Sequence, residues 1–241
     1  MYSWQERTAI ILGEEKLARL ASSKVAVVGL GGVGAYAAEM LARAGVGSFL
    51  LIDSDVVAPS NKNRQLLALD STMGLPKSEV MAARLRDINP DIKVEILSEY
   101  VTGENVDAIL GPRRPDFLVD AIDTLTPKVE LIKYCVREGI PMVSSMGSGA
   151  KTDMTKVRIA DLSKSHNCPL AYMLRKRLRK EGISKGVKVV FSEELPDREA
   201  IIVSEERNKK SQAGTLSYLP AVFGCACAQA ALEDLVTLRR P

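Results

Sequence analysis

Apolar and polar positions along this chain follow two periods in alternation. Short runs rich in apolar and β-branched residues recur at Val25–Val28, Phe49–Ile52, Val94–Leu97, Phe117–Val119 and Pro141–Ser145. Such runs read as strands buried in a parallel sheet. Between them lie stretches of helical spacing: Ala35–Ala44, a segment from Pro76 to about Asn89, Glu104–Leu110 and Pro127–Glu138. Strand and helix taking turns predict an α/β fold with a doubly wound, mostly parallel sheet. Ahead of it, residues 2–22 form an amphipathic arm, with Ile10, Ile11, Leu12, Leu17 and Leu20 as its apolar stripe and Gly13 as a break. After residue 150 the alternation weakens. Val157–Ala160 and Val187–Phe191 read as strands enclosing a helix, Leu170–Lys180; Glu193–Leu216 is polar and expected to be a mobile loop; Leu219–Leu238 is a largely apolar closing helix. The expected organisation is one domain over 1–241: an arm (1–22), a core (23–150) and a C-terminal extension (151–241).

The first strand, helix and second strand carry the strongest chemical signal. Between Val28 and Ala35 lie Gly29, Gly31, Gly32 and Gly34, spaced G-x-G-x-x-G with Gly32 as an extra glycine. Side chains there would obstruct the tight turn and hold the backbone away from a phosphate. The following helix offers unpaired N–H groups and the positive end of its dipole to an anion. The second strand ends on Asp53, roughly 20 residues beyond the glycines, where a ribose-binding acid belongs. Together these make a Rossmann-like nucleotide site.

The polar residues downstream then gain meaning. Asp55 follows Asp53, and Asn61, Asn63, Arg64 and Gln65 crowd the loop Ser54–Leu69. Taken alone this is an ordinary loop; after a ribose acid it suits phosphate and base contacts, with Arg64 supplying a planar fork of donors. Lys77 stands near a helix N-terminus, where a cation is electrostatically misplaced unless an anion is close. Asp120 and Asp123 follow the fourth strand, at the end of a parallel sheet where ligands bind. Asp123 suits a Mg²⁺ ion held against a phosphate chain.

Composition changes little. Hydrophobic residues make up 46% and charged residues 26%, with a formal net charge of +3; that is an ordinary globular balance. No run reads as long and apolar enough to span a bilayer, and the opening MYSWQERTAI lacks the pattern of a secretory signal. Cys135, Cys168, Cys225 and Cys227 make no disulfide framework and no paired C-x-x-C zinc site, so a cytoplasmic location is expected. Cys135, Cys225 and Cys227 are expected to pack as small hydrophobes, with Cys168 left open as a reactive thiol and His166 as structural. Charge is uneven: Arg175, Lys176, Arg177, Arg179 and Lys180 fill five of six positions of one helix. That stretch is either a solvated face or a contact for a polyanion.

Three functions compete. A nicotinamide-dependent dehydrogenase accounts for the glycines and Asp53 but leaves Arg64, Lys77 and Asp123 idle. A nucleotide-sensing or RNA-binding module without catalysis leaves more idle still. An ATP-dependent adenylating enzyme uses them all: cations and Mg²⁺ offset the repulsion between a carboxylate and the triphosphate it attacks.

The motifs GLGGVG (29–34), Asp53-x-Asp55, NKNRQ (61–65), PK (76–77) and DAIDT (120–124) occur in the order found in the ThiF/MoeB/E1-like adenylating superfamily, which this chain resembles over nearly its whole length. The resemblance implies that Asp53 binds the ribose of ATP and Arg64 the phosphates, with Asn61 and Gln65 beside them. It implies that Lys77 contacts phosphate, that Asp123 works with Mg²⁺, and that Arg7 enters the partner subunit's site in a homodimer. LARAGVG (41–47), VDAID (119–123), residues 161–183 and KVVFSEE (188–194) resemble the branch that dehydrates threonylcarbamoyladenosine in tRNA. That implies activation of a carboxylate on adenosine 37 of tRNA, with the basic helix on RNA phosphates. The alternative within the superfamily is activation of a ubiquitin-like sulfur carrier, and a cooperating sulfur-transfer protein is a further implied partner. Ala213, Gly214 and Ser217 stand where some members carry a cysteine, so direct cyclisation of the adenylate is expected rather than a protein thioester.

Overall fold

The computed structural model describes residues 3–203 and 211–237. The arm is two helices, α1 (Glu6–Leu12) and α2 (Glu14–Ser22), broken at Gly13 with φ 79°. Then follow β1 (Lys24–Val28), α3 (Gly34–Ala44), β2 (Ser48–Ile52), α4 (Lys77–Ile88), β3 (Lys93–Leu97), α5 (Val106–Leu110), β4 (Phe117–Asp120), α6 (Leu125–Glu138) and β5 (Met142–Ser145). The extension adds β6 (Val157–Asp161), α7 (Pro169–Lys180), β7 (Lys188–Ser192), β8 (Ile201–Val203), β9 (Ser211–Ala213) and α8 (Tyr218–Thr237).

Seven strands form one sheet in the order β3-β2-β1-β4-β5-β7-β6. Every pairing is parallel except β6 with β7. The expected fold is therefore present. Period-two alternation explains why both faces are covered: Val25 and Val27 enter one buried cluster with α3, α4 and α8, while Ala26 and Val28 enter the other with α5, α6 and α7. Chain order reverses between β1 and β4, which opens a crevice at their carboxyl ends.

Four expectations need correction. The arm's stripe is not one buried face: Leu17 and Leu20 are buried, but α1 buries nothing and Ile10 and Ile11 are each 81% exposed. The expected mobile loop Glu193–Leu216 contains an antiparallel hairpin, β8 with β9; residues 204–210 of it, like Leu238 of the closing helix, lie outside the described residues. Cys225 is exposed, because it lies off the face of α8 that buries Cys227. Finally, α8 has the length and mean hydropathy (1.3) to cross a membrane, against the reading that no run does. Its apolarity has a core explanation: Leu219, Phe223, Cys227, Ala231 and Leu235 are buried in the cluster with α3. Gly224 lets the two helices meet, since a Cβ there would fall 2.5 Å from the Val33 carbonyl oxygen.

Candidate nucleotide site at the carboxyl edge of the sheet

Three strands deliver the site. Gly29 N–H donates to Ile52 O at 2.8 Å, Asp53 N–H to Leu97 O at 3.1 Å, and Ala121 N–H to Val28 O at 2.8 Å. The glycine loop, Asp53 and the DAIDT loop thus leave β1, β2 and β4 side by side. Gly29 has φ 87°, and a Cβ on it would meet Ala121 O at 2.9 Å; a Cβ on Gly34 would fall 1.8 Å from Gly29 O. These two glycines close the turn and seat α3. Gly31 and Gly32 face outward to the other motifs. A Cβ on Gly31 would meet Gln65 Nε2 at 3.7 Å, and one on Gly32 would meet Pro220 Cβ at 3.0 Å and Arg64 O at 3.3 Å. The NKNRQ loop and the start of α8 therefore lie against the glycine loop.

Asp53 is half-buried and braced by the backbone: Oδ2 accepts from Leu30 N–H at 2.5 Å and Oδ1 from Asp55 N–H at 2.8 Å. Burial pushes its carboxyl above the ordinary carboxylate value, against the pull of the Leu30 N–H and the Lys77 charge. Lys77, at the first position of α4, is buried, and its Nζ lies 2.8 Å from Asp55 Oδ2. The anion that its helix-start position called for is this side chain, so Asp55 and Lys77 act as a pair. Asn61 Oδ1 accepts from Ala58 N–H at 3.1 Å, which fixes the loop's own turn. Arg64 Nη1 donates to Ser60 O at 2.9 Å and Asn63 Oδ1 at 2.7 Å, and so stands pre-oriented.

Asp123 is exposed on the loop after β4. Its neighbour Asp120 is not a ligand candidate, because it is wholly buried. It accepts from Lys128 Nζ at 2.7 Å, Ser144 Oγ at 2.6 Å and Ile122 N–H at 3.1 Å, while Lys128 also donates to Ser145 O at 3.0 Å. This network ties β4, β5 and α6 together beneath the DAIDT loop. Sequence reading missed Lys128; the available signal was a lysine amid the apolar positions of α6. Among the described residues no three His, Cys, Asp or Glu side chains gather as a metal cage. A hard oxygen ligand such as Asp123 fits Mg²⁺ only if nucleotide oxygens complete the shell, which is how Mg²⁺ is usually held.

Two connections above the sheet also escaped the sequence reading. Asn63 Nδ2 donates to Thr215 O at 3.0 Å, and Ala150 N–H donates to Gly214 O at 2.7 Å. The segment after β9 therefore bridges the NKNRQ loop to the loop after β5. Cys168, left open as a reactive thiol, is buried at the N-cap of α7, its Sγ taking the Ala171 N–H at 3.5 Å. His166 is exposed and packs edge-on to Phe191, with ring centroids 5.3 Å apart.

Two sets of expected residues lie apart from the crevice. Arg7 is exposed on α1. Gln5, two residues before it, packs against Gly45 at the far end of α3 from the glycine loop; eleven helical residues span roughly 16 Å. The chain does not bring Arg7 to its own site. The cations of α7 divide: Arg175 Nη1 is held by Ser165 O at 2.7 Å, Arg177 Nη1 by Thr126 Oγ1 at 3.0 Å, and Lys176, Arg179 and Lys180 are exposed.

The sequence profile of the ThiF family matches residues 2–241. The chain is 42% identical over 242 residues to a tRNA threonylcarbamoyladenosine dehydratase of Bacillus subtilis (strain 168), covering 95% of this chain and 93% of that one. It is 37% identical over 255 residues to the protein of that description from Escherichia coli (strain K12), covering 97% and 95%. The crystal structure of the E. coli tRNA N6-threonylcarbamoyladenosine dehydratase TcdA in complex with ATP superposes with a TM-score of 0.88 at 38% identity, covering 98% of this chain and 96% of that one.

Proposed function

The chain belongs to the ThiF family, and from that membership we propose that it is an ATP-dependent dehydratase of threonylcarbamoyladenosine at position 37 of tRNA, acting in the cytoplasm as a homodimer. The observation that carries the reading is the convergence of the glycine loop, Asp53, the NKNRQ loop and the Asp123 loop on one crevice, in a chain that matches dehydratases of that description end to end. The ATP complex of the E. coli relative supports the nucleotide.

In the proposed reaction the threonyl carboxylate attacks the α-phosphorus of ATP, pyrophosphate leaves, and a mixed anhydride with AMP forms. A heteroatom of the same carbamoyl unit then attacks the activated carbonyl carbon, loses its proton and expels AMP. The ring closes with net loss of one water. Asp53 holds the ribose. Arg64, fixed by Ser60 and Asn63, and Lys77, once Asp55 yields it to phosphate, stabilise charge as it develops. Asp123 would hold Mg²⁺, which supplies further charge neutralisation on the phosphate chain when bound. Cys135 and Cys227 are buried thiols pushed up to about 12 by burial, poor material for a thiolate carrier.

The dimer reading rests on the arm. Ile10 and Ile11 on α1 leave apolar surface uncovered beside an arginine that cannot serve its own crevice, and a second copy would use both.

The test is AMP formation by Arg64→Ala and Asp123→Ala. Each is expected to lose it, by roughly 100-fold or more, with an unchanged melting temperature. Wild-type AMP release from either variant would remove that residue from the site. AMP formation that required a small carrier protein ending in Gly-Gly instead of tRNA would replace the reading with sulfur-carrier activation.

A further inference from the structure

Tyr172 had no part in the sequence reading, and it is 59% exposed. It sits in the first turn of α7 and shares a helix face with Arg175, Lys176 and Arg179, at spacings of three, four and seven residues. These four side chains line one shallow, half-open depression of about 390 Å³ on the helix surface. One of the four is fixed in place: Arg175 Nη1 is held by Ser165 O at 2.7 Å and Ser165 Oγ at 2.5 Å. Its charge has one sign. α7 contains no acidic residue, and among the described residues no carboxylate bridges to Arg175, Lys176 or Arg179.

Position matters as much as charge. Cys168, just before α7, lies beside Gly147 in the loop after β5, so Tyr172 stands at the ligand end of the sheet. Arg177, on the other flank of α7, reaches Thr126, three residues past Asp123. An exposed tyrosine alone needs no explanation. One ringed by three cations, on a helix that starts at the carboxyl edge of the sheet, matches the makeup of single-stranded nucleic-acid sites, where an aromatic face takes a base and cations take the phosphates.

We propose that Tyr172 stacks on an unpaired base of the tRNA substrate, while Arg175, Lys176 and Arg179 hold the adjoining phosphates. This rests on the dehydratase reading and adds a base-contact residue to it. A stacked base next to the modified adenosine would hold the loop open while the threonylcarbamoyl group enters the crevice.

The experiment is equilibrium binding of the full chain to two RNAs of equal length, a hairpin with an unpaired loop and a fully paired duplex, across a salt series. Tyr172→Ala is expected to weaken hairpin binding roughly 5- to 150-fold with the salt slope and the duplex affinity unchanged. Tyr172→Phe is expected to keep hairpin affinity, since the ring and not the hydroxyl acts. Arg179→Ala is expected to weaken both RNAs and lower the salt slope by about one. Because both positions are exposed, an unchanged melting temperature accompanies each variant. Hairpin binding by Tyr172→Ala equal to wild type, or an equal loss on the duplex, overturns the stacking proposal and leaves the dehydratase reading standing. Failure of the wild-type chain to bind either RNA also overturns the stacking proposal, whereas the dehydratase reading stands or falls separately on AMP formation with the modified tRNA.

Discussion

Lys128 has no exposed surface, and neither has its partner Asp120. Two buried charges are tolerable only because each is matched: Lys128 reaches Asp120, Ser144 and Ser145. Removing one member strands the other in a medium that cannot solvate it. Lys128→Met is therefore expected to cost about 3–5 kcal/mol, measured as a lower urea midpoint, and Asp120→Asn added to it to restore much of the loss. A Lys128→Met protein as stable as wild type would show that the pair does not brace the DAIDT loop. At this scale the sequence was legible where chemistry requires one residue type. Gly29 and Gly34 were readable because no side chain fits where β1 turns into α3. Lys128 was not, because its partners come from β4 and β5, 8 and 16–17 residues away, and only the folded sheet brings them together. Asp55 and Lys77, read as two separate ligands, are a pair for the same reason.

Among the elements, α3 and α4 are joined by a charge cluster. Glu39 is buried, accepts from Arg43 Nε at 3.0 Å and from Arg84 Nη2 at 3.1 Å, and also pairs with Arg84 Nε. Burial alone would raise its carboxyl; the hydrogen bonds and charges of Arg84 and Arg43 outweigh it and hold the carboxyl below its ordinary value. A depressed acid stabilises the fold above its unfolded value, about 4.3, and that contribution is lost as pH falls through the folded value. Glu39→Gln is therefore expected to be less stable at pH 7 and to lose less stability between about pH 5 and pH 3. Parallel urea curves for the two proteins across that interval would contradict this. Strands and helices through β5 were legible from periodicity because each is an uninterrupted local pattern. The hairpin β8–β9 was not: Ile201–Val203 is only a three-residue apolar run amid charged sequence, its partner Ser211–Ala213 carries no period, and the flanking chain is tied down by Ala150. α8 misled in the other direction. It was readable as apolar, while its fit against α3 through Gly224 was not.

Across the whole molecule, the proposed reaction calls for a second copy. Arg7 follows Gln5, which packs at the end of α3 remote from the glycine loop, and shares α1 with the exposed Ile10 and Ile11. Arg7→Ala and Asp123→Ala are each expected to be inactive, whereas mixing the two is expected to recover activity in hybrid dimers, which hold one intact composite site. No recovery after demonstrated subunit exchange would place Arg7 outside the reaction. The doubly wound, mostly parallel sheet was readable from sequence because it follows from strand-helix alternation; the strand order that opens the crevice was not. The arm's uncovered face was not, because one chain does not say which apolar residues its fold leaves outside.

The central claim, that this crevice adenylates a carboxylate on tRNA, is tested most directly by incubating the protein with Mg-ATP and tRNA bearing threonylcarbamoyladenosine. AMP release and the mass of the modified nucleoside are then measured together. The account predicts AMP that forms only with the modified tRNA, and a nucleoside lighter by one water. AMP release without that tRNA, or a nucleoside of unchanged mass while AMP accumulates, would contradict it.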